Sequence, residues 1–465
     1  MSLLSPTDAV FLLAESREHP MHFGALQLFH LPDGAGPDFI GNLYRQLVAE
    51  HHVHPTFRRR PRGSLTAPAQ LAWAQDTSID LEYHVRVSAL ARPARVRELL
   101  ELISRLHGTL LDRHRPLWEQ HLIEGLQGDR FAIYSKVHHA LLDGVSALRW
   151  MQRSMTEDPE TTGMPTIFGL PPSERHRPDG GFSLAGVAKA AADFVGTTVR
   201  SVGELAGLAP TLAETARQVL GEQATALPFQ APKSMLNVPI TGARRCAAQA
   251  WSMERIKAVR RATDSTVNDV VLAMCAGALR RYLLDMNALP EAGLVAMVPV
   301  SLRDKEPGGT ERGGNAIGTI LADLATESSD PASRLERIQS SVRRNKKNLS
   351  ELSPLQVQLL AAITVAPRGF AMLPGMADRT RPPFNVIISN VPGPVGKTLY
   401  WNRARMDGLY PLSVVLDGQA LNITVTTYSD QIQFGLVGCR RSMPHLQWLL
   451  THLETSLSEL ETLVA

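Results

Sequence analysis

The sequence HHALLDG at residues 138–144 constrains this chain more than any other feature. It follows an alternating apolar run that predicts a strand over residues 130–137. It precedes a helical pattern, and the Asp143-Gly144 pair between strand and helix predicts a tight turn with a permissive glycine backbone. The chain therefore needs a fold in which two adjacent histidines lie at the end of a rigid strand.

Histidine is suited to proton transfer at a strand end because its unperturbed pKa lies near neutrality. Successive strand side chains point to opposite faces, so we expect His138 and His139 to have different roles. The residues alone leave a second interpretation open, in which a structural histidine pair is followed by an ordinary turn.

The length of the chain, 465 residues, exceeds what a single hydrophobic core usually supports, which favours two domains. Mixed helix and strand patterns fill residues 1–155 and return over 241–465. The segment 156–240 begins rich in Pro and Gly, which predicts a linker, and contains a possible amphipathic helix over 184–208. The balanced charge of that helix favours packing on its own protein over docking on anionic lipid.

Apolar periodicity predicts the individual elements. The predicted helices are 8–14, 39–51, 96–107, 253–261, 268–285 and 445–463. The predicted strands are 25–29, 130–137, 294–299, 317–321 and 384–389, followed by a three-stranded meander over 412–416, 421–427 and 432–437.

Composition and cysteine usage exclude several classes of protein. The net charge of +3 argues against a nucleic-acid binder. Cys246, Cys275 and Cys439 are isolated, and we interpret them as reduced thiols of a cytoplasmic protein. The N-terminus lacks a basic region followed by a long apolar stretch, and no apolar run is long enough for a membrane span. The histidines do not form a metal-ligand set, so metal catalysis is not expected.

Further motifs occur in order along the chain. They are LSPTDAVF at 4–11, PLWE at 116–119, VNDVV at 267–271, VPVSLR at 298–303, GN at 314–315 and SNVPGP at 389–394. Together with HHxxxDG, this ordered set resembles the bacterial wax ester synthase/diacylglycerol acyltransferase family of the CoA-dependent acyltransferase superfamily. The resemblance runs from residue 4 to about residue 394.

The resemblance implies an α+β fold of two chloramphenicol-acetyltransferase-like domains, with the active site at their interface and a tunnel leading to it from each side. It implies that His139 is a general base, with acyl-CoA as co-substrate and no bound cofactor. The implied activity transfers a long-chain acyl group to diacylglycerol, a long-chain alcohol or both. Such acceptors dissolve poorly in water, so we expect peripheral contact with a membrane or lipid droplet. The alternatives are a relative with a different acceptor or a non-catalytic lipid-binding protein.

The resemblance also assigns supporting residues. His138, Asp143 and Gly144 are expected to support the motif structurally, with Asp143 in an ion pair with Arg58 or Arg59 rather than orienting His139. The candidate substrate-site residues are Asn268, Asp269, Pro116, Trp118, Ser389 and Asn390.

Two of these assignments and one further candidate, the basic cluster 343–347, have competing interpretations. Asn268 either lines the site or makes a helix-capping bond. Trp118 either lines the acyl tunnel or belongs to the core. The basic cluster 343–347 either meets CoA phosphates or lies on a solvated helix face.

Overall fold

A computed structural model describes residues 2–4, 6–49, 52–62, 72–171, 230–301, 317–350 and 381–464. The predicted helix over 184–208, the motif residue Arg303 and the motif residues Gly314 and Asn315 lie outside these described residues. The described part mixes helices and strands, which agrees with the predicted α+β class.

The helices are α1 Pro6–Ala14, α2 Phe39–Ala49, α3 Leu81–His84, α4 Val96–His107, α5 Gly144–Arg153, α6 Met253–Ala262, α7 Val267–Asp285, α8 Pro331–Ser350 and α9 Trp448–Glu461. The strands are β1 Ser2–Leu3, β2 His22–His30, β3 Arg59–Arg62, β4 Ala72–Gln75, β5 Val85–Ala89, β6 Trp118–Leu126, β7 Arg130–His138, β8 Arg244–Ser252, β9 Val295–Ser301, β10 Ile317–Asp323, β11 Val386–Val391, β12 Tyr400–Trp401, β13 Ala404–Leu412, β14 Leu421–Tyr428 and β15 Gln431–Cys439. Each predicted helix that falls within the described residues has a counterpart here.

The histidine motif leaves the middle of a six-stranded sheet, which we call the first sheet, with strand order β12-β13-β2-β7-β6-β5. Strand β7 pairs antiparallel with β2 on one side and with β6 on the other, and His22 lies opposite His138. Every residue of β7 after the first is buried, so both faces of the strand are covered. A central strand bonded on both sides is a rigid support for the residues at its end.

The second sheet has the order β10-β9-β11-β14-β15-β8 and is formed by the second half of the chain. Strand β11 runs parallel to both of its neighbours, and β14 and β15 form the predicted hairpin. Helix α7 is buried on nearly all sides because it packs against α8 and α9. Its almost continuous apolar sequence agrees with this buried position.

The second half of the chain contributes strands to the first sheet. Strand β13 pairs antiparallel with β2, and β12 pairs with β13, although both lie within the predicted segment 241–465. The predicted meander is therefore wrong in its first strand: residues 413–415 form no strand, and β13 ends at Leu412. An alternating apolar run indicates a strand but carries no information about which neighbour the strand pairs with.

Helix α4 lies where the two halves meet. It packs against β8, and the Cys246 backbone N–H donates to the Ser104 hydroxyl at 2.9 Å. Side chains of α4, the first sheet and the second sheet form one continuous apolar core. The described start of the predicted linker, residues 156–171, has no helix or strand, yet Phe168 within it is fully buried against the first sheet.

Candidate active site at the end of strand β7

His139 is the first residue beyond β7, and three neighbours fix its position. Its backbone N–H donates to the Met21 carbonyl at 2.9 Å. The imidazole stacks on the Phe11 ring, with ring centroids 5.1 Å apart and planes inclined by 15°. The Phe23 ring lies on another side at 5.0 Å and is tilted by 59°. The imidazole is thus held between two aromatic rings.

The surroundings of His139 favour the neutral imidazole. Burial, the largest cause, and the neighbouring His138 together lower its pKa to about 4, although the Asp143 carboxylate acts in the opposite direction. Its Nε2 is buried and has no hydrogen-bond partner within the described residues. In the neutral imidazole, Nε2 is either a hydrogen-bond acceptor or an N–H donor without an acceptor, depending on the tautomer. A neutral imidazole of this kind can take a proton from a bound hydroxyl group.

His138 points to a different set of partners. Its Nδ1 accepts the Ala140 backbone N–H at 3.0 Å, so the ring proton lies on Nε2 in the neutral form. That Nε2 is 3.3 Å from Oε1 of Glu15, in an ion-pair contact whose angle is too poor for a hydrogen bond. Both side chains are almost completely buried. The opposite directions of the two histidines agree with strand alternation.

Glu15 is a buried carboxylate that the sequence did not single out. Arg113 donates to its Oε2 at 2.9 Å, and the Met21 backbone N–H donates to Oε1 at 3.2 Å. Burial raises the pKa of Glu15, but His138 and Arg113 outweigh burial and lower it below its usual value. The carboxylate therefore remains charged and ties the end of α1 to the histidine motif.

A second group of polar side chains lies behind the motif, at the C-terminus of α4. The His107 ring bonds the Tyr134 hydroxyl at 2.8 Å and the Ser413 carbonyl at 3.2 Å. The His22 imidazole bonds the His107 carbonyl at 2.9 Å. Burial lowers the pKa of His107 to about 3 and that of His22 well below its usual value. This group connects the first sheet to the chain that follows β13.

Lys136 and Glu119 form a buried pair within the first sheet. The Lys136 Nζ is 3.1 Å from Glu119 and donates to the carbonyls of Leu106 and Thr109 at 3.2 and 3.0 Å. It thereby satisfies carbonyls at the C-terminus of α4. Burial raises the pKa of Glu119, but His121 and Lys136 lower it to about 2. Glu119 is part of the PLWE motif. Lys136 is completely buried, which the alternating pattern of its strand did not predict.

Asp143 is the N-cap of α5. Its Oδ1 accepts the Ser146 backbone N–H at 2.9 Å, and its Oδ2 accepts the Ser146 hydroxyl at 2.7 Å. The expected ion pair is not formed, because within the described ranges no arginine pairs with Asp143. Arg58 instead donates to the carbonyls of Val53 and Asp76. A helix cap satisfies the carboxylate locally, which makes a distant partner unnecessary.

Gly144 also differs from its predicted role. It does not adopt the left-handed backbone that requires glycine, and a Cβ at this position would meet no atom of the described chain within 4 Å. The tight turn therefore does not depend on its conformational freedom. What glycine leaves is open space beside the first turn of α5.

Two family models match the chain. The wax ester synthase/diacylglycerol acyltransferase catalytic domain matches residues 4–271, and the WS/DGAT C-terminal domain matches residues 313–461. The chain belongs to the wax ester synthase/diacylglycerol acyltransferase family. The family and the acyltransferase class predicted from the ordered motifs are thereby confirmed.

Known proteins agree with this assignment. A Mycobacterium tuberculosis relative named as a diacyglycerol O-acyltransferase is 54% identical over the full length of both chains. A second relative from the same organism, also named as a diacyglycerol O-acyltransferase, is 53% identical and matches 99% of this chain and 100% of its own length. The solved wax ester synthase/diacylglycerol acyltransferase from Marinobacter aquaeolei is 42% identical, with a TM-score of 0.80 and full coverage of both chains.

A more distant structure shows the fold alone. The first condensation domain of the CDA synthetase has a TM-score of 0.54 at 16% identity and covers this whole chain and 97% of its own. The fold class predicted from the resemblance is confirmed by these matches.

The motif residues outside HHxxxDG differ in how their side chains are used. Some pack in the core, and one has a buried side-chain nitrogen without a described hydrogen-bond partner. Trp118 is packed: it is 1% exposed and stacks between His84 and Phe168, at 4.4 and 3.9 Å between ring centroids. Its indole N–H donates to the Phe57 carbonyl at 2.8 Å. Pro116 is also buried. These contacts place Trp118 in the core, and its contact with an acyl tunnel stays a prediction.

Asn268 is the motif residue whose buried side-chain nitrogen has no hydrogen-bond partner among the described residues. The capping bonds of α7 are made by Thr266 and Asp269, whose side chains reciprocally bond the other's backbone N–H at 3.2 and 2.9 Å. The Asn268 Nδ2 is buried and has no partner in the described part of the chain. The capping interpretation of Asn268 is therefore wrong, and Asp269 holds the helix start.

The SNVPGP motif lies at the end of β11, where Ser389 and Asn390 are half-buried and pair with β14. Gly393 explains why the motif contains glycine: a Cβ there would lie 2.0 Å from the Thr427 carbonyl oxygen. Neither Ser389 nor Asn390 has a hydrogen bond, ion pair or ring contact to His139 in the regions that the structure describes.

The remaining candidates concern anions, cavities and metals. Arg343, Arg344, Lys346 and Lys347 are exposed on α8, as expected for a solvated helix face. A surface cavity of about 370 Å³ is lined by residues 32–39, Asn42 and Arg403, and does not include His139. Among the described residues, no group of His, Cys, Asp and Glu side chains is arranged to hold a metal ion.

Proposed function

We propose that this protein transfers a long-chain acyl group from acyl-CoA to the hydroxyl of diacylglycerol, a long-chain alcohol or both, with His139 as the general base. The observation that carries the proposal is the buried, unpartnered Nε2 of a neutral imidazole at the end of a central strand. The names of the relatives, which include diacyglycerol O-acyltransferases and a wax ester synthase, support the substrate class.

The chemistry requires one base. The acceptor oxygen attacks the thioester carbonyl carbon and forms the new C–O bond while its proton passes to the His139 imidazole. The tetrahedral intermediate then breaks its C–S bond, and the imidazolium returns the proton to the CoA thiolate. The products are an ester and free CoA, and His139 is neutral again. A group that performs both proton transfers contributes on the order of a hundred- to ten-thousand-fold in rate.

The interface between the halves is the proposed place where both substrates meet. The His107 ring, whose pKa is influenced by His139, bonds Ser413 beyond β13, and α4 packs against β8. These contacts support a site bordered by both halves. Holding thioester and hydroxyl near one base removes a large entropic part of the barrier. We propose Asn268 as a polar group of this site, because its Nδ2 is buried and otherwise unused.

The activity is tested by incubating the full chain with palmitoyl-CoA and either diacylglycerol or hexadecanol, and measuring ester formation and free thiol. We expect turnover with at least one acceptor and a loss of about a hundred-fold or more in His139→Ala. His114→Ala, at a side chain that is 95% exposed, is the matched histidine control. A folded His139→Ala protein as active as wild type contradicts the mechanism. Lipid binding without turnover supports the non-catalytic alternative, and turnover with short alcohols alone supports a different acceptor.

Peripheral contact with a membrane or lipid droplet is part of the proposal, because the acceptors reside in lipid. In the described ranges, no helix combines the length and apolarity needed to cross a membrane. Helix α1 instead exposes Val10 and Leu13, at 45% and 43% of their surface. A contact made by such side chains is mainly hydrophobic and should resist salt.

Flotation with neutral liposomes at about 0.1 M and about 1 M salt tests this contact. We expect binding in both conditions, and reduced binding after Val10→Ser with Leu13→Ser. Val395→Ser, at a side chain that is 59% exposed, is the control. Failure of the wild type to float in either condition contradicts peripheral association but leaves the acyl-transfer chemistry standing.

A further inference from the structure

Helix α1 has two unlike sides, and one of them touches the candidate base. Val10 and Leu13 are one helical turn apart and exposed, so they share the outer side. Phe11 and Leu12 point the opposite way: Leu12 is fully buried, and the Phe11 ring stacks on His139. The helix thus has apolar side chains from its solvent-facing surface to the imidazole.

The position of α1 is fixed at both ends. Near its start, the Trp73 indole N–H donates to the Asp8 carboxylate at 3.2 Å. Near its end, Arg113 donates to the Leu12 carbonyl at 2.6 Å and to Glu15 at 2.9 Å. Phe11 lies between these anchors, so its ring is held against His139 by the helix as a whole.

Phe11 is only half-buried, although its ring stacks on the imidazole of His139, whose Nε2 is buried. A side chain whose sole task is core packing would be expected to be covered on its far side as well. An aromatic ring that is partly accessible and stacked on a general base is available to a substrate chain. Apolar chains pack well on such rings, because the contact removes apolar surface from water.

We propose that Phe11 is a specificity-determining and positioning residue, whose ring forms the acceptor-side wall of the site and keeps water from His139. This inference rests on the proposed acyl transfer. The outer residues of α1 are apolar, which suits arrival of a water-insoluble alcohol along this helix rather than of the charged CoA. The chain of the acceptor would lie along the Phe11 ring while its hydroxyl reaches the His139 imidazole.

The charged and titratable groups around His139 come from other elements. His138 precedes it, Asp143 begins α5, and His107 ends α4. Glu15, just beyond α1, faces His138 instead. Asp8, the charged residue of α1, accepts the Trp73 indole N–H. The Phe11 ring carries no charge, so we attribute its effect on the imidazole to the exclusion of water. Removing the ring should therefore raise the pH at which activity declines on acidification, toward the ordinary histidine pKa of about 6.5. We call this decline the acid limb of the pH profile.

The test compares Phe11→Ala and the conservative Phe11→Leu with wild type, using palmitoyl-CoA with hexadecanol or hexanol. Trp448→Leu is the matched control, because it removes another ring stacked on a histidine, His445, at 4.4 Å and outside the site. For Phe11→Ala we expect about a ten-fold lower kcat/KM with hexadecanol and a smaller loss with hexanol. We also expect its activity to decline between about pH 7 and pH 5, where wild type stays level.

Phe11→Leu keeps an apolar side chain and should retain the wild-type acid limb, with a reduced preference for hexadecanol. Variants that stay folded with the wild-type pH profile and the wild-type ratio between acceptors would overturn the inference. A drop in melting temperature alone, without either change, would also overturn it, because that is the result of a purely structural role. Failure of the proposed function is recognised separately, by an unaltered rate in His139→Ala.

Discussion

Glu15 and His138 meet in an almost fully buried contact, with 3.3 Å between Oε1 and Nε2. The contact distinguishes the two adjacent histidines: His138 contacts a carboxylate and the Ala140 backbone, whereas the ring of His139, among the described residues, packs on Phe11 and Phe23. Its consequence is that the two histidines can be tested independently.

We predict that His138→Ala loses stability but keeps measurable acyl transfer. Removing the imidazole takes one buried contact from Glu15, whose carboxylate keeps Arg113 and the Met21 backbone N–H, so we expect a loss of about 1–3 kcal/mol. Thermal unfolding and turnover of the same preparation check the prediction.

Glu15→Gln is the companion to this substitution, because it removes the charge and keeps the shape. It should lower the melting temperature less than His138→Ala does. If a folded His138→Ala protein were as inactive as His139→Ala, the division of roles would be wrong.

Asp143 gives a prediction that distinguishes a helix cap from an ion pair. Asparagine caps helices about as well as aspartate, whereas alanine costs about 0.5–2 kcal/mol. We therefore expect Asp143→Asn to remain within about 0.5 kcal/mol of wild type and Asp143→Ala to fall below it. Urea unfolding measures both. Equal, large losses in the two variants would instead indicate a buried ion pair.

The fold could be predicted from sequence wherever local periodicity decides it. Helix α4 was predicted with the bounds Val96–His107 that the structure has, and β7 was predicted to within one residue. Strand β13 shows what periodicity leaves out, because its partner is β2, far away in the chain. Pairing depends on which sheet edge lacks a neighbour, and that is a property of the assembled fold.

The candidate site divides in the same way. His139 was predicted because its motif is continuous in sequence and matches a family. Glu15, His107 and Lys136 were not, because nothing local indicates that a charged or polar side chain will be buried. One signal was present for Glu15: it lies at the end of α1, just beyond the LSPTDAVF motif. The capping role of Asp143 could also have been predicted from its place before a helical pattern.

Asn268 supports a prediction that separates activity from stability. Because Thr266 and Asp269 make the capping bonds of α7, Asn268→Ala should leave the melting temperature close to wild type. If its Nδ2 stabilises charge that develops during acyl transfer, kcat should fall by about a hundred- to a thousand-fold. Thr266→Ala is the matched control and should lower stability by about 1 kcal/mol. Full activity in Asn268→Ala would remove it from the site.

Buried neutral histidines make the stability of the protein sensitive to acid. Burial lowers the pKa of His84 to about 4, of His107 to about 3 and of His139 to about 4, and that of His22 lies well below its usual value. In the unfolded chain each histidine titrates near about 6.5. Between these values the unfolded state binds more protons than the folded state, so acid favours unfolding.

We predict that the free energy of unfolding is highest above about pH 6.5 and falls as the pH decreases toward about 4. Each such histidine contributes up to about 1.4 kcal/mol per pH unit in this window. The carboxylates of Glu15 and Glu119, whose pKa values are lowered, add losses only below about pH 4.5. Urea unfolding at several pH values should show a shallower slope for His84→Gln than for wild type, and an unchanged slope for the exposed control His114→Gln. Equal stability from about pH 7 to about pH 5 would mean that these histidines titrate in the folded protein as they do in the unfolded chain, and would contradict the lowered pKa of buried His139.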